Sequence, residues 1–567
     1  MLKGHPKGLY VAFFANMGER FGFYTMMAIL VMFLQARYGL SKDEAGGVYS
    51  NFYFAIYALA LLGGFIADRS ERYKLTILAG IVVMFLGYAF LSVPGSTLLM
   101  AQAGLYTIAL GNGLFKGNLQ ALVGQLYDAP EYRKLRDSAF SIFYMGINIG
   151  AVFAPNAAAA MRNWFLGTRG FGYDADLPSL CTQLPTAELL APVRQIPAWP
   201  FREAGAIDTG KFQALADKVS GAPVTDLSAF ARDYMDAFST GYHYAFGIAA
   251  GAMVVSLVVY LLFQRLLPDR KAKKAGQPGS DAPKMPWAEE KKRLVALGLV
   301  FLVVIFFWMS FHQNGLTMTY FARDYTVKGV GQLDNLIFDI KGLLAVAAMI
   351  IGAVFLARRT STGLQRGVGG GLLAAGGAAA WYLYGTYKDL NPIDPEIYQQ
   401  FNPYFVVFLT PVVVGLFGWL RDRGREPSAP RKIGIGMILA AVGFVVMIFG
   451  SIGLTSPAEL GDAPSPERVS AYWLMSSYFI LTIAELFLSP MGLSFVSKVA
   501  PPRFQGLMQG GWLAATAIGN KLLFVGSSLW VRVDIWLVWL IFVVCCLVSV
   551  AFIFSILKKL EAATSDA

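Results

Sequence analysis

The sequence predicts an all-α integral membrane protein with about fourteen membrane-spanning helices, on the strength of three observations. Hydrophobic residues make up 56% of the 567 positions and charged residues 15%, so the chain has more apolar surface than one water-soluble core could bury. Apolar runs of about 20 residues, the length that crosses the hydrocarbon layer, recur from end to end. Loops rich in lysine and arginine alternate with loops that are not, which is typical of chains that cross a membrane repeatedly.

The predicted spans follow these apolar runs in chain order. Their approximate limits are Gly8–Ala36, Ala45–Ala67, Leu75–Val93, Leu98–Leu126, Ala139–Ala160, Tyr244–Leu266, Leu294–Ala322, Leu336–Ala357, Val368–Tyr387, Pro403–Leu420, Ile433–Leu454, Tyr472–Val496, Phe504–Leu529 and Ile535–Leu557. The first apolar run is too long for a cleaved signal peptide and has no small-residue cleavage site behind it, so we interpret it as the first helix.

The basic loops predict the orientation of the chain. Lysine and arginine collect in every second loop and near the C-terminus, at residues 69–74, 133–136, 265–293, 358–359, 421–425, 503 and 558–559. We expect this side to be cytoplasmic, together with both termini. The net charge of +11 then reflects membrane topology and not nucleic-acid binding, because the basic residues are dispersed over separate loops.

Several other functional classes lack their signatures. The sequence has no Walker A motif, no H-E-x-x-H and no G-x-S-x-G, so we expect neither ATP coupling nor enzymatic catalysis. The three cysteines, Cys181, Cys545 and Cys546, are too few and too scattered for a disulfide framework or a metal site. We therefore expect no catalytic residues, no metal ligands and no cofactor.

Glu485 is the most informative single residue, because it lies in the middle of the apolar run from Tyr472 to Val496. A charge at the centre of a membrane-spanning helix costs roughly 2.5–3.5 kcal/mol on insertion scales. Such residues usually line an internal cavity, pair with a cation or exchange a proton. Glu485 therefore indicates a functional site inside the membrane.

Other polar residues recur at helical spacing within the predicted spans. They form stripes on single helix faces: Asn16, Arg20 and Tyr24 beside Glu19; Tyr53 and Tyr57; Asn112, Lys116 and Gln120; Tyr144 and Asn148; Trp308 and His312; Glu485 and Ser489; with Asn402 and Trp512 as single positions. Helices lined in this way enclose a wet, charged cavity.

Structural roles are the alternative interpretation of these stripes. The aromatic residues could serve packing, the amides could join helices, and the charges could form a buried ion pair without function. His312 fits equally well as a satisfied core residue and as a proton acceptor near neutral pH.

The motifs around these residues resemble those of a known family. Gly63–Arg69 resembles the loop motif of the major facilitator superfamily. Within that superfamily the chain resembles the proton-dependent oligopeptide transporters (POT/PTR) at Glu19-Arg20-Phe21, Gly111–Asn118, Phe143–Gly150, Asn402-Pro403 and Glu485–Ser494.

The resemblance implies a major facilitator fold of two six-helix bundles plus two extra transmembrane helices. The corresponding organisation is 1–162 for helices 1–5, 163–243 for an external loop or cap, 244–266 for helix 6, 267–293 for a cytoplasmic linker, 294–335 for family helix 7, 336–387 for two inserted helices, 388–557 for family helices 8–12 and 558–567 for a cytoplasmic tail.

The resemblance also implies a function, the import of di- and tripeptides with protons by alternating access. The proton is then a coupling ion, the partners are small peptides and the lipid bilayer, and the location is a bacterial plasma membrane. Arg20 and Lys116 correspond to partners of the peptide carboxylate and Glu485 to the partner of its amino group. The remaining pocket residues by resemblance are Tyr24, Tyr57, Asn148, Trp308, Asn402, Ser489 and Trp512.

Three positions depart from the family pattern. Asn16 and His312 stand where glutamates are usual, and Met27 stands where an arginine often follows. We expect proton coupling to run through Glu19, Arg20, Lys116, His312 and Glu485, with protonation of an acidic group or of His312 weakening salt bridges to Arg20 and Lys116. The alternatives are a carrier of another small solute, such as a nitrate-like anion or an amino-acid derivative, an uncoupled peptide facilitator, and a sensor without net flux.

Overall fold

A computed structural model of the chain describes residues 4–565 except 128, 133–134, 184–208, 269–284, 359–360, 461–464 and 502–503. Parts of the predicted basic loops, at 133–134, 269–284, 359 and 503, therefore lie outside the described residues. The helices of the first half are α1 Gly8–Tyr38, α2 Lys42–Ser70, α3 Tyr73–Leu91, α4 Leu98–Gln125, α5 Arg136–Thr168, α6 Leu177–Gln183, α7 Thr209–Ser220 and α8 Leu227–Phe263.

The second half continues the helical pattern with two short strands. Its elements are α9 Trp287–Phe311, α10 Thr317–Asp324, β1 Gly329–Val330, α11 Gln332–Phe338, α12 Ile340–Ala357, α13 Gly363–Thr386, β2 Asn391–Pro392, α14 Phe401–Asp422, α15 Ala429–Phe449, α16 Pro457–Leu460, α17 Ala471–Val499, α18 Gln505–Lys521, α19 Phe524–Trp530, α20 Ile535–Ser555 and α21 Leu557–Ser565. Single 3₁₀ turns follow α8 and α9 and precede α14.

All fourteen predicted spans coincide with helices. Within the described residues, twelve helical segments are long and apolar enough to cross a membrane. The other two predicted spans correspond to α13, whose many glycines lower its mean hydropathy, and to α18 with α19, of which α18 has 17 residues. The chain is an integral membrane protein.

Two helices extend furthest beyond the limits predicted for them. Helix α5 continues to Thr168 instead of ending near Ala160, and α8 begins at Leu227 instead of Tyr244. Both extensions fall in the stretch expected to be an external loop, because mixed polar residues there hid the helical period. Asp226 caps α8 by accepting hydrogen bonds from the amides of Ser228 and Ala229 at 2.9 and 3.0 Å.

The first six long helices, α1–α5 and α8, pack into one bundle. Glycines allow the backbones to approach closely where α2 and α3 meet α4. A Cβ on Gly63 would lie 2.0 Å from the carbonyl oxygen of Gly113, and a Cβ on Gly80 would lie 2.7 Å from that of Gly111. These contacts hold α4, which carries Lys116, against α2.

A second bundle consists of α9, α14, α15, α17, α18 and α20. Helix α17 packs on α14 and α15, and α18 packs on α9. Helices α12 and α13 pack mainly on each other, again through glycines: a Cβ on Gly352 would lie 2.6 Å from the carbonyl oxygen of Gly369. The insertion thus leaves the two bundles of six helices complete.

The bundles meet through α2 against α18 and α19, and through α5 against α14. We call the end of the molecule at which α1 ends the Tyr38 end. There the short antiparallel ladder of β1 and β2 joins the segment after α10 to the segment before α14, with Gly329 opposite Pro392. The residues that face the contact between the bundles follow from this arrangement.

Candidate functional site

The first bundle contains a buried ion pair between neighbouring residues of α1. Arg20 donates hydrogen bonds from Nε to Glu19 Oε2 at 2.5 Å and from Nη2 to Oε1 at 2.8 Å. Asn112 of α4 donates to the same Oε1 at 2.7 Å. The Arg20 guanidinium also lies 4.8 Å from the ring centroid of Phe23. Two of its five N–H groups are engaged by Glu19, so others remain to bind an anion.

Lys116 of α4 has a different environment. Its ammonium lies 4.7 Å from the ring centroid of Tyr57 on α2, a cation–π contact. No carboxylate lies within ion-pair distance of Lys116 in the part of the chain that the structure describes. Lys116 is therefore a cation inside the membrane whose charge is not balanced by a direct counter-ion.

Tyrosine and asparagine side chains lie between Arg20 and the second bundle. Tyr24, one turn after Arg20, is close enough to interact with both Arg20 and Glu485. Tyr144 of α5 interacts with Glu485 through its hydroxyl group. Asn148 donates to the carbonyl oxygen of Tyr144 at 3.1 Å. These residues place the site at the contact between bundles.

Glu485 lies at the middle of α17 and accepts a hydrogen bond from Asn402 of α14. The Asn402 Nδ2 atom is 3.1 Å from Glu485 Oε2 and 3.1 Å from Thr482 Oγ1. Among the described residues, no lysine, arginine or histidine forms an ion pair with Glu485. Glu485 thus resembles Lys116 in having no charged partner.

His312 begins the 3₁₀ turn after α9 and contacts both bundles. Its Nδ1 atom is 2.5 Å from Asn520 Oδ1 on α18, and a ring that donates this hydrogen bond from Nδ1 has its lone pair at Nε2. Its ring stacks on Trp308 with 4.6 Å between centroids and lies 4.6 Å from the ring of Tyr53 on α2. A neutral His312 can therefore accept a proton at Nε2.

Ser489 and Trp512 complete the set of predicted pocket residues in the second bundle. Ser489 is half-buried one turn beyond Glu485. Trp512 of α18 is buried and packs over Gly492, where an added Cβ would lie only 1.8 Å from Cη2 of the indole. Gly492 is needed at that position because a larger residue would displace the indole ring.

Two of the positions that depart from the family pattern are buried in α1. Asn16 is 3% exposed, and its Nδ2 atom has no hydrogen-bond partner among the described residues. Met27 lies in the hydrophobic core at 3% exposure. Neither residue brings a charge into the space between the bundles.

A second polar region lies at the Tyr38 end and was not predicted from the sequence. Arg162 of α5 is 0% exposed and pairs with Glu396, also 0% exposed, and with Asp394 at 3.1 Å. Its guanidinium lies 3.8 Å from the ring centroid of Tyr173. Asn163 donates to Asp394 Oδ2 at 3.1 Å. We call Arg162, Asp394 and Glu396 the Arg162 cluster.

Further ion pairs join the bundles at this end. Lys42 at the start of α2 lies 3.0 Å from Asp324 of α10, and Asp43 lies 3.2 Å from Arg532. Hydrogen bonds from Asn156 to Gln400 and from Arg323 to Gln35 add to these contacts. The bundles are joined at the Tyr38 end.

Asp176, in the segment before α6, joins the same end to the second bundle. It pairs with Lys328 and lies 2.9 Å from Arg468. Burial would raise the pKa of Asp176, but these cations outweigh burial and hold the pKa below its usual value. Burial lowers the pKa of Lys328 to about 8, against the opposing attraction of Asp176.

One sequence signal could have revealed Arg162 and its neighbours. The stripe Tyr144 and Asn148 continues along α5 at helical spacing to Asn156 and Asn163, which lie at the bundle contact. Asn156 donates to Gln400 at 2.5 Å. Glu396, by contrast, lies in an acidic stretch whose composition is typical of a solvated loop. Nothing in the sequence therefore indicated that Glu396 is buried. Asn520 was likewise not predicted.

The arrangement can bind a molecule that carries both charges. A cation and an anion without charged partners lie on opposite bundles, with aromatic rings and amides between them. Among the described residues, no group of three or more histidine, cysteine, aspartate or glutamate side chains could hold a metal ion. The site as described offers groups that can recognise opposite charges.

Comparisons with known proteins agree with this description. The model of the POT family matches residues 74–182 and 373–537. An uncharacterized transporter, YclF of Bacillus subtilis, is 27% identical over 539 residues, 92% of this chain and 87% of that protein. The peptide transporter YePEPT of Yersinia enterocolitica is 26% identical over 530 residues, 91% and 86% of the two chains. Dipeptide and tripeptide permease A of Edwardsiella piscicida is 24% identical over 525 residues, 90% and 84%.

Solved structures share the fold. A peptide transporter POT in complex with sulfate matches with a TM-score of 0.65 and 21% identity, covering 100% of this chain and 97% of that one. A POT family transporter in complex with 5-aminolevulinic acid matches with a TM-score of 0.64 and 19% identity, covering 100% and 98%. The predicted major facilitator fold with two bundles is confirmed.

Proposed function

We propose that the chain is a member of the POT family and a secondary active transporter that imports di- and tripeptides together with protons by alternating access. The relatives named as peptide transporters or as dipeptide and tripeptide permeases align over most of their length with this chain. The role proposed for it is transport and not catalysis. Its coupling ion is the proton, with no other cofactor.

One observation carries this proposal: Lys116 and Glu485 lie on opposite bundles, and neither has a charged partner among the described residues. A zwitterionic peptide supplies both missing counter-ions at once. Its carboxylate binds Lys116 and the free N–H groups of Arg20, and its ammonium binds Glu485. Binding across both bundles favours the conformations in which they are close together.

The lining residues set the size and polarity of the peptide site. Tyr57 and Trp308 offer aromatic faces, and Tyr24, Asn148 and Ser489 offer hydroxyl or amide groups. Asn402 orients the Glu485 carboxylate through its hydrogen bond, and Trp512 closes the site against Gly492. These side chains bind the peptide backbone between its charged ends.

Proton coupling involves Glu19, Arg20, Lys116, His312 and Glu485. Protonation of Glu19 weakens its pair with Arg20 and frees the guanidinium for the peptide carboxylate. His312 accepts a proton at Nε2 while Asn520 holds Nδ1. One proton that moves down roughly 100 mV supplies about 2.3 kcal/mol for accumulation.

The Tyr38 end faces the exterior in this proposal, and both termini lie in the cytoplasm of a bacterial cell. Basic residues such as Arg69, Arg421 and Lys558 then lie on the cytoplasmic side. With this orientation, the contacts that join the bundles at the Tyr38 end belong to a state closed to the outside. Exchange of these contacts for contacts at the opposite end would complete the transport cycle.

Uptake of labelled dialanine into proteoliposomes tests the proposal, with an inward proton gradient and an inside-negative potential imposed and then collapsed separately. Accumulation that depends on the gradient supports proton-coupled peptide import. Equilibration without accumulation would indicate an uncoupled facilitator. No uptake of dialanine would contradict peptide transport and direct the search to other small solutes.

A further inference from the structure

The Arg162 cluster has an excess negative charge. It contains one guanidinium, of Arg162, and two carboxylates, of Asp394 and Glu396. Arg162 and Glu396 are fully buried, and the Asp394 side chain is 13% exposed. A buried cluster with a formal charge of minus one is costly unless another positive charge balances it.

Within the part of the chain that the structure describes, the groups that face the cluster from neighbouring elements do not supply this charge. Tyr242 of α8 and Tyr173 are the titratable groups that face Glu396 in addition to Arg162 and Asp394. Gln399 lies in the same turn as Glu396. Its side-chain amide donates to the carbonyl oxygen of Ala28 on α1 and to the hydroxyl of Thr319 on α10. Tyrosine and amide groups are neutral at physiological pH.

One atom in the cluster has no partner. Arg162 donates to Oε1 of Glu396, whereas Oε2 of Glu396 is buried and accepts no hydrogen bond from any described residue. Arg162 also donates hydrogen bonds from Nε and Nη2 to Asn163 Oδ1, at 3.1 and 2.9 Å. A carboxylate oxygen in this position is a site for a proton.

The cluster also spans the contact between the bundles. Arg162 belongs to α5 of the first bundle, whereas Asp394 and Glu396 immediately precede α14 of the second bundle. When the Tyr38 end opens, the two carboxylates separate from Arg162 and become hydrated. Hydrated carboxylates are ionised at neutral pH, so the proton is bound only in the closed state.

We propose that Arg162, Asp394 and Glu396 form a proton-binding site that takes up one proton from the external side when the Tyr38 end closes. This inference rests on the proposed proton-coupled transport and locates a proton outside the central site. The closed state binds more protons than the open state, so lower external pH favours closure. Loss of the proton favours reopening.

The formal charge of minus one on the cluster predicts that neutralising either carboxylate has the same effect. Glu396→Gln leaves Arg162 paired with Asp394, and Asp394→Asn leaves it paired with Glu396. Either change makes the cluster neutral without a proton. Both variants should therefore close independently of pH, although they alter different residues. Asp389→Asn is the matched control, because Asp389 is an exposed acid in the same stretch.

Pulsed electron paramagnetic resonance can measure closure without any substrate. Pro94 and Ala458 are exposed on different bundles at the Tyr38 end. Spin labels attached to Pro94→Cys and Ala458→Cys report the distance between the two bundles at this end. The three native cysteines are first replaced. In the otherwise native protein, we expect the ratio of the short-distance to the long-distance population to increase as the pH is lowered from 8 to 5, by about tenfold for each pH unit over the responsive range.

The expected result is a pH response in the native cluster and in Asp389→Asn, and none in Glu396→Gln or Asp394→Asn. A full response in both neutralised variants would overturn the proposal. Thermal unfolding of the same variants in detergent verifies that they are folded. The distance measurement does not depend on peptide, so a response without dialanine uptake would leave the proton site standing while contradicting peptide transport.

Discussion

The central site and the Tyr38 end contain similar charged residues in opposite situations. At the Tyr38 end, Arg162 is paired with two carboxylates and Lys42 with Asp324. In the central site, Lys116 and Glu485 have no charged partners among the described residues. Paired charges hold a conformation, whereas charges left without partners are available to a ligand. In the proposed function, this difference separates the part of the protein that closes from the part that binds.

Removal of Arg162 tests the structural half of this comparison and should have the largest effect. Arg162→Met leaves the carboxylates of Asp394 and Glu396 buried together, so we expect a loss of about 3–5 kcal/mol in unfolding free energy. Thermal unfolding in detergent measures it. Arg431→Met is the control, because Arg431 is half-exposed in its pair with Glu561 and should cost about 0–1 kcal/mol. Equal losses in the two variants would contradict the comparison.

Neutralisation of Glu485 tests the functional half. Glu485→Gln should weaken dialanine binding about 10- to 100-fold, because a charge-assisted hydrogen bond contributes about 1.5–3 kcal/mol. Unfolding stability should be unchanged or higher, since a buried carboxylate without a cation is costly. Isothermal titration and thermal unfolding give the two values. Glu467→Gln is the control: Glu467 accepts a hydrogen bond from Thr455 at the Tyr38 end, so its substitution should leave dialanine binding unchanged. A loss of stability without a loss of binding in Glu485→Gln would contradict a binding role for Glu485.

The shape of the central site is tested by Gly492→Ala. The added methyl group would lie 1.8 Å from Trp512, so the indole must move, at a cost of about 1–3 kcal/mol. We expect weaker peptide binding together with a changed tryptophan fluorescence spectrum. Gly377→Ala is the matched control, since no atom lies within 4 Å of its added Cβ. Unchanged binding in Gly492→Ala would exclude Trp512 from the site.

The smallest effect is expected at Asp176, which joins the bundles near the surface. Asp176→Asn should lower stability by about 1 kcal/mol at pH 7. The pKa of Asp176 lies below its usual value of 3.8, so its contribution is present above that value and is lost as the pH falls through the lower folded-state pKa. Unfolding at pH 7, 5 and 3 checks this. A difference between variant and native protein that already disappears at pH 5 would contradict it.

The sequence by itself determined the membrane spans and the faces that carry the polar stripes. Apolar runs of fixed length and the helical period are local properties, so all fourteen spans coincide with helices. The same period placed Arg20 with Tyr24 and Glu485 with Ser489 on shared faces. The family motifs then indicated the two-bundle fold, which the solved structures share.

Only the tertiary structure decided which stripes meet and which charges are paired. Arg162 and Glu396 are 234 positions apart, and His312 and Asn520 are 208 positions apart. Helical spacing gives the direction of a side chain within its own helix but not the identity of the helix that packs against it. From the sequence alone, Glu396 is therefore interpreted as a loop residue. Its burial depends on the contact between α5 and the turn before α14. Burial and counter-ions depend on packing between elements, which is the physical reason that the sequence predicted the polar stripes but not the Arg162 cluster.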